Sequence, residues 1–210
     1  MATHKFFSEP KFHDEAFYQD REAVDHLRQP KHRERLLRTL HDTLYLLAVD
    51  IEATSVCDFG CGTGGMLHEL KKARPDITSW GYDLSPKAVD YAREKYGVDA
   101  TLQDFTKAEV RFPDIAVMTE TMEHLVSPEE FLQKLRDGGV KWLVASVPLD
   151  ETPDEHYEFH LWAWDKPAFA DLFARMGLTV VAHYNVLFED CQHLIALNGS
   201  AFEKTGREQT

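Results

Sequence analysis

The sequence contains no apolar run long enough to cross a bilayer. Residues Met1 to Pro10 also lack the apolar stretch of a secretion signal. These two absences predict a cytoplasmic protein that does not insert into a membrane.

Cysteine is scarce, with only Cys57, Cys61 and Cys191 in the chain. An odd number without framework spacing argues against a disulfide scaffold. Two nearby thiols without a matching second pair also make a poor zinc site. We interpret all three thiols as structural.

Basic residues are few: the chain has 23 Lys and Arg but 36 Asp and Glu, which gives a formal net charge of −13. Such a surface repels duplex DNA or long RNA. The one basic strip, from His32 to Arg38, is interrupted by Glu34 and is explained by a solvated helix face. Bulk nucleic acid is therefore not expected as a partner.

Apolar periodicity is present in two forms. Residues 14–49 show helical spacing, with Leu36, Leu37, Leu40, Leu44 and Leu47 on one stripe, and we expect Pro30 to separate two helices there. Beyond residue 55, short apolar runs alternate with amphipathic segments. The predicted strands are Ser55–Phe59, Ile77–Tyr82, Ala100–Leu102, Ile115–Met118, Trp142–Val147, Leu178–Tyr184 and Gln192–Leu197. The predicted helices between them include Met66–Ala73, Lys87–Tyr96, Glu129–Leu135 and a helix that runs from Asp165 to about Met176.

This alternation, with short links, predicts an α/β fold: a mostly parallel seven-stranded sheet with helices on both faces. We divide the chain into an N-terminal helical segment (1–50), a main domain (51–200) and a frayed polar tail (201–210). In such sheets, ligands bind at the carboxyl ends of the strands, near the point where the strand order reverses.

Polar residues mark the predicted helix starts. Ser85 and Ser127 each precede a proline, and Asp165 precedes another helix. Ser127 with Glu130 also fits a capping box.

A glycine-rich segment joins the first predicted strand to its helix and is the strongest functional signal. Gly60, Gly62 and Gly65 satisfy a dinucleotide-binding pattern, so glycine spacing alone does not exclude NAD. Asp58 distinguishes between the possible cofactors. A carboxylate there repels the negatively charged diphosphate of NAD and suits a ligand that carries an amino group and a sulfonium. The arrangement D-x-G-x-G-x-G resembles the first motif of class I S-adenosylmethionine-dependent methyltransferases.

This resemblance implies a Rossmann-like class I methyltransferase fold and S-adenosylmethionine as cofactor. Asp83, at the end of the second strand, is expected to accept hydrogen bonds from the ribose hydroxyls. In the family, the acidic position matched by Asp104 meets the adenine amino group. The cofactor-binding residues that we predict are Asp58, Gly60, Cys61, Gly62, Gly64, Asp83, Leu84, Gln103, Asp104, Phe105 and Thr119.

The segment after the fourth strand carries Glu120, Glu123 and His124, which share one face if it turns helically. Such a face suits a divalent metal or a proton-transfer pair. The E-x-x-E-H sequence resembles ubiquinone-biosynthesis O-methyltransferases, and also small-RNA 3′-terminal 2′-O-methyltransferases that hold Mg²⁺ or Mn²⁺. The alternative is that Glu123 or His124 only braces the loop.

The loop after the fifth strand is rich in His and aromatic residues. His156 and His160 are candidate bases, alongside His124 and Glu120, because His titrates near neutrality. Trp162 and Trp164 are expected to form core or pocket wall. The family resemblance implies that the N-terminal segment, with Phe12, Phe17, Tyr18 and Arg21, covers the cofactor and the acceptor.

Together these features predict methyl transfer from S-adenosylmethionine to a hydroxyl or amine of a small acceptor. Three alternatives stay open: a metal-assisted enzyme acting on an RNA end, a non-catalytic S-adenosylmethionine-binding protein, and an NAD-dependent reductase.

Overall fold

The computed structural model describes residues 3–7, 24–149, 151–185 and 191–202. The strands are β1 (Thr3–Lys5), β2 (Ser55–Phe59), β3 (Thr78–Asp83), β4 (Ala100–Leu102), β5 (Ile115–Thr119), β6 (Trp142–Pro148), β7 (Trp162–Trp164), β8 (Thr179–Asn185) and β9 (Cys191–Leu197). The helices are α1 (Pro30–Val49), α2 (Gly65–Ala73), α3 (Pro86–Tyr91), α4 (Pro128–Asp137) and α5 (Lys166–Arg175), with a π-helical turn at Ala92–Tyr96 and a 3₁₀ turn at Met122–His124.

A seven-stranded sheet in the order β4-β3-β2-β5-β6-β9-β8 forms the centre of the protein. Strands β2 to β6 pair in parallel, and β9 pairs antiparallel with both β6 and β8. The predicted α/β architecture is confirmed, and each predicted strand of this sheet occurs with its ends shifted by one residue at most. The order reverses between β2 and β5, so the crevice expected to bind ligands lies at their carboxyl ends.

Helices cover both faces of the sheet. Apolar residues of α1, α2 and α3 pack against one face, and those of α4 and α5 pack against the other. The predicted stripe on α1 needs one correction: Leu37 is 37% exposed, whereas Leu46 is buried. With 3.6 residues per turn, Leu36 and Leu40 share the buried face and Leu37 turns away from it.

The cysteines are buried and free, as the structural interpretation predicts. Within the described ranges, no helix is long and apolar enough to cross a membrane.

The N-terminal segment is not wholly helical, contrary to prediction. Thr3–Lys5 pairs antiparallel with Trp162–Trp164 in a second, two-stranded sheet. Both strands have three residues, too few for an alternating pattern to reveal them. Pro30 does not separate two helices in the described chain, because α1 begins there and a turn precedes it. Residues 8–23 lie outside the described ranges.

At the other end, the predicted frayed tail is corrected at its first residues. Ala201 is buried, and the Phe202 ring meets the Trp142 ring at 6.0 Å between centroids. Residues 203–210 are not among those described.

Two of the three predicted caps form. Ser85 Oγ accepts a hydrogen bond from the Ala88 N–H at 3.2 Å, and Asp165 Oδ1 accepts one from the Ala168 N–H at 2.8 Å. Ser127 makes no side-chain capping bond to α4, so the predicted capping box is wrong. The first turn of α4 instead carries Glu129 and Glu130, whose charges favour a helix N-terminus.

The caps provide a matched pair of substitutions. Asp165→Ala removes an acceptor from the first turn of α5, and we expect it to lower the free energy of unfolding by about 1 kcal/mol. Ser127→Ala removes no capping bond and should cost less than about 0.5 kcal/mol. Urea denaturation of both variants measures the difference, and equal losses would contradict the assignment.

Candidate functional site

A cavity of about 1560 Å³ opens at the carboxyl edge of the sheet. Its walls come from the β2–α2 turn, the ends of β3, β5 and β6, the start of α1 and the loop around residues 151–160. Cofactor-type and acceptor-type residues predicted from distant parts of the sequence thus line one space.

The β2–α2 turn depends on glycine. Gly60 has φ +85°, and a Cβ there would lie 2.4 Å from the Thr121 hydroxyl oxygen. Gly62, at φ +50°, donates its N–H to Asp83 Oδ2 at 2.8 Å. Any larger residue at position 60 would push the β5 segment away from the β2 turn, so this glycine is required by both conformation and space.

Asp58 is buried at the start of this turn, and its Oδ1 meets no hydrogen-bond partner in the part of the chain that the structure describes. Burial, and secondarily the negative charge of Asp83, raise the pKa of Asp58 to about 7. A buried carboxylate without a partner is costly. An incoming ammonium group would supply that partner, which fits the amino group of S-adenosylmethionine.

Asp83 is fixed by the backbone around it. Its Oδ1 accepts the Ser85 N–H and its Oδ2 accepts the Gly62 N–H, each at 2.8 Å. Burial raises the pKa of Asp83, and these two bonds partly offset that rise. Each oxygen can still accept a hydrogen bond from a ligand in the cavity. The half-exposed Leu84 lines the cavity next to Asp83.

The end of β4 contributes less to the wall than predicted. Among the predicted cofactor residues of the described chain, Gly64, Gln103 and Asp104 do not line the cavity. Gln103 donates to the Glu109 carbonyl at 2.7 Å, and Asp104 accepts from the Thr106 hydroxyl at 2.6 Å. The buried Phe105 forms the wall here, and the adenine contact of Asp104 stays a prediction.

Asp104 also pairs with Lys107 at 2.9 Å. Asp104 Oδ1 also accepts the Thr106 backbone N–H at 3.1 Å, which is an Asx turn that the sequence Asp-Phe-Thr could have indicated. Gly64 packs instead against α3 and its π-helical extension: a Cβ there would lie 2.8 Å from the Ala92 methyl carbon.

Glu120 departs from its predicted grouping. It has φ +50°, which interrupts any helix through this segment, so only Met122–His124 forms a turn. The Glu120 carboxylate pairs with Arg35 at 2.7 Å and accepts the Ser146 hydroxyl at 2.8 Å. The expectation that Glu120, Glu123 and His124 share one helical face is therefore wrong, whereas a role of Glu120 as a metal ligand stays a prediction.

The structure places His160, rather than Glu120, beside Glu123 and His124. One potential ligand atom from each of these three residues lies within 4.8 Å of the other two. Glu123 is fully buried, and neither carboxyl oxygen has a hydrogen-bond partner among the described residues. His160 Nε2 is 3.9 Å from Glu123 Oε1.

Burial, and then the charge of Glu120, raise the pKa of Glu123 well above its usual range. An unpartnered carboxyl group inside a cluster of imidazoles suits a divalent cation or a shared proton. The predicted metal and proton-transfer functions both remain chemically possible at this corrected cluster.

Two side chains that hold residues at this end of the site were not predicted from the sequence. Arg35 reaches Glu120 from α1, and Glu151 holds His160 Nδ1 at 2.8 and 2.7 Å through its two oxygens. Neither residue lies in a motif, and each is remote in sequence from the 120–124 segment. His124 Nδ1 is fixed in turn by the Phe159 carbonyl at 3.0 Å.

His156 and Thr119 line the same cavity. The His156 ring stacks on Phe6, with 3.9 Å between ring centroids, and its Nδ1 lies 3.2 Å from the Thr152 carbonyl oxygen. Thr119 donates its hydroxyl hydrogen to Thr39 of α1 at 3.1 Å. His156 is therefore a packed residue of the cavity wall rather than a solvated side chain.

Trp162 and Trp164, predicted as core or pocket wall, contribute to the core rather than to the described cavity wall. The Trp164 side chain is buried in the core, and Trp162 packs partly buried against it. The Trp162 indole N–H donates to the Leu125 carbonyl at 2.8 Å.

Residues 24–29 cross the glycine-rich turn. Asp25 is fully buried and accepts hydrogen bonds from the phenols of Tyr91 at 2.8 Å and Tyr96 at 2.5 Å. His26 stands 3.4 Å from where a Gly62 Cβ would be, and it lines the cavity. The predicted covering residues Phe12, Phe17, Tyr18 and Arg21 lie outside the described residues.

The parallel sheet, the glycine turn at its switch point and an acidic residue at the end of the next strand are typical of nucleoside-binding α/β proteins. A family model described as a methyltransferase domain matches residues 29–183, and the chain belongs to this family.

Solved structures and curated relatives agree with that assignment. The magnesium protoporphyrin IX methyltransferase of Synechocystis PCC 6803, solved with bound S-adenosylmethionine, superposes with a TM-score of 0.64 at 17% identity, covering 87% of this chain and 94% of that chain. Indolepyruvate C-methyltransferase of Streptomyces griseus is 38% identical over 85 residues, which are 36% of this chain and 26% of that protein. Malonyl-[acyl-carrier protein] O-methyltransferase of Hahella chejuensis is 46% identical over 37 residues, or 18% of this chain and 13% of that protein.

The chain thus matches about a quarter or less of the length of these curated relatives. Its fold is the Rossmann-like class I methyltransferase fold. Membership of the methyltransferase family argues against the NAD-dependent reductase, and the non-catalytic S-adenosylmethionine-binding protein stays an open alternative.

The ribose contact is tested by Asp83→Ala. Loss of charge-assisted hydrogen bonds should weaken binding of S-adenosylhomocysteine by about one to two powers of ten. Titration calorimetry measures the change, with Asp99→Ala as a control aspartate that does not line the cavity. Unchanged affinity in the Asp83 variant would show that the nucleoside lies elsewhere.

The ammonium contact of Asp58 predicts a pH dependence. Below its pKa of about 7 the free carboxyl group is protonated, so binding an ammonium must release that proton. We expect affinity for S-adenosylhomocysteine to fall by up to about tenfold per pH unit below 7, with close to one proton released at pH 6. Calorimetry in buffers of different ionisation enthalpy measures the proton, and Asp58→Asn should abolish the release.

Proposed function

We propose that the chain transfers a methyl group to a hydroxyl or amine of a small acceptor, which binds beside Glu123 and His160. The observation that carries this proposal is the fully buried carboxyl group of Glu123, which has no hydrogen-bond partner among the described residues and lies in the wall of the cavity that Asp58 and Asp83 also line. Such a group is costly unless a ligand uses it.

S-adenosylmethionine, when bound, supplies a methyl group on a sulfonium that is already a good leaving group. Asp58 would receive its amino group and Asp83 its ribose hydroxyls, with Phe105 as apolar wall. Gly60, Cys61, Gly62, Leu84 and Thr119 complete the proposed cofactor site. What the chain must add is alignment of the acceptor and exclusion of water.

A hydroxyl acceptor also needs help in losing its proton. Glu123 Oε1 and His160 Nε2 are 3.9 Å apart, so one acceptor oxygen can lie within hydrogen-bond reach of both atoms. His160 then takes the proton on Nε2 as general base. An amine acceptor needs only its neutral lone pair, and His160 would take the proton released after transfer.

Residues 24–29 are the described part of the proposed N-terminal cover, since Val24, His26 and Gln29 line the cavity. The segment is held down by the hydrogen bonds of Asp25 to Tyr91 and Tyr96. It would exclude water from the cofactor end of the cavity.

The family does not fix the acceptor. The names of the similar proteins specify indolepyruvate, a malonyl group on acyl-carrier protein and magnesium protoporphyrin IX, three unlike molecules. A ubiquinone-type acceptor, suggested by the E-x-x-E-H sequence, is one proposal among small hydroxylated compounds. Release of S-adenosylhomocysteine from S-adenosylmethionine in the presence of hydroxyl and amine panels is the direct test. No release with any acceptor would contradict the proposal.

A metal-assisted reaction is the second candidate, and the three clustered side chains favour it. Glu123, His124 and His160 would hold a divalent ion such as Mg²⁺ or Mn²⁺, which would stabilise an acceptor oxygen as its proton leaves. The alternative of an enzyme that methylates an RNA end is a metal-assisted reaction of this kind. A net charge of −13 restricts it to a short exposed end rather than a long duplex.

Mn²⁺ titration followed by electron paramagnetic resonance separates the two modes without knowledge of the acceptor. We expect Glu123→Ala and His160→Ala to weaken Mn²⁺ binding at least about tenfold, because each removes a ligand. Glu120→Ala should change it by less than about threefold, since Glu120 pairs with Arg35. Absence of Mn²⁺ binding by the wild type would reject the metal mode and leave His160 as a base.

A further inference from the structure

Glu151 is the one described carboxylate whose oxygens both contact His160. They lie 2.8 and 2.7 Å from Nδ1, and the two side chains are only 14% and 10% exposed. Glu151 Oε1 also accepts the Tyr157 N–H at 2.9 Å. The imidazole is thereby held between Glu151 on one side and Glu123 on the other.

An ionised carboxylate can only accept hydrogen bonds. His160 Nδ1 lies 2.8 and 2.7 Å from the two Glu151 oxygens, so a hydrogen on Nδ1 is the donor that this carboxylate needs. A neutral His160 must then carry its hydrogen on Nδ1. Nε2 is left with a lone pair on the side that faces Glu123 and the cavity.

We propose that Glu151 is a positioning residue that selects this tautomer of His160, and that methyl transfer depends on the selection. The inference rests on the proposed function, in which Nε2 accepts a proton. It applies equally to the metal mode, because a ring nitrogen that carries hydrogen cannot coordinate an ion.

The competing explanation is that Glu151 only anchors the loop. It would do so by accepting the backbone N–H of Tyr157, while the backbone N–H of His160 donates to the Tyr157 carbonyl at 3.0 Å. A loop anchor requires an acceptor at Oε1 but places no requirement on the hydrogen of His160. The two explanations therefore differ in what they require of one atom, the second oxygen Oε2, which lies 2.7 Å from Nδ1.

Glu151→Gln isolates that atom. The glutamine oxygen can keep the Tyr157 bond while its NH₂ group replaces the oxygen that lies 2.7 Å from Nδ1. The retained oxygen also lies 2.8 Å from Nδ1, but an NH₂ hydrogen directed at Nδ1 from 2.7 Å leaves no room for a second hydrogen there, so Nδ1 must accept and the ring hydrogen moves to Nε2. Neither proton acceptance nor metal coordination at Nε2 is then possible.

The tautomer is read by long-range ¹H–¹⁵N NMR of histidine-labelled protein, with His160→Gln identifying the resonance among the 11 histidines. In the wild type we expect a protonated Nδ1 and an unprotonated Nε2, and in Glu151→Gln the reverse. The rate of methyl transfer should fall about 100-fold or more, with affinity for S-adenosylhomocysteine unchanged. In a His160→Ala background, Glu151→Gln should have no further effect on the rate.

Two variants serve as controls. Glu158→Gln makes the same change on an exposed residue of the loop that does not line the cavity, and it should alter neither spectrum nor rate. Glu151→Asp retains a carboxylate and should recover the wild-type tautomer and part of the rate, even where the loop loosens.

An unprotonated Nε2 in Glu151→Gln, or a full transfer rate with the reversed tautomer, would overturn the inference. Failure of the wild type to methylate any acceptor is a different result. It would contradict the proposed function, while the NMR comparison would still decide whether Glu151 sets the tautomer.

Discussion

The close contact between Gly60 and Thr121 is the constraint on which the site depends. Thr121 donates its hydroxyl hydrogen to the Phe59 carbonyl at 3.0 Å, and only the missing side chain of Gly60 leaves room for it. Parallel pairing of β2 with β5 brings the two carboxyl ends to the same edge of the sheet. This contact then joins the glycine turn to the 120–124 segment, so the proposed cofactor and acceptor sites share one cavity.

Buried carboxyl groups set the electrostatics of that cavity. Asp58 and Glu123 are buried without hydrogen bonds to one or both oxygens among the described residues, whereas Asp83 and Glu120 are held by backbone N–H groups or by Arg35. Burial raises the pKa of all four groups. Asp83 and Glu120 are fixed by their partners. At Asp58 and Glu123, a bound ligand would supply the missing hydrogen bonds and offset the free-energy cost of burial.

Helix α1 supports the acceptor end from outside the central sequence motifs. Arg35 reaches Glu120, and Thr39 accepts the Thr119 hydroxyl, so the end of β5 is fixed by a helix that precedes the sheet in the chain. On the opposite side, Glu151 and the Phe159 carbonyl hold the two imidazoles. Glu120 and His124 are thus held by residues 85 and 35 positions away in the chain, whereas Glu151 holds His160 from nine positions away.

The sequence by itself determined the sheet, its strands, the glycine turn and the Ser85 and Asp165 caps, because apolar periodicity, glycine conformation and capping act within a few residues. It also placed Asp58, Asp83 and Glu123 at or just after strand ends, where parallel topology brings them to one edge, and it placed His160 in the loop after the fifth predicted strand. Only the tertiary structure placed His160 beside Glu123, paired Glu120 with Arg35 and set Glu151 against His160. Those outcomes depend on a left-handed backbone at Glu120 and on packing between segments that are distant in sequence, which no local pattern encodes.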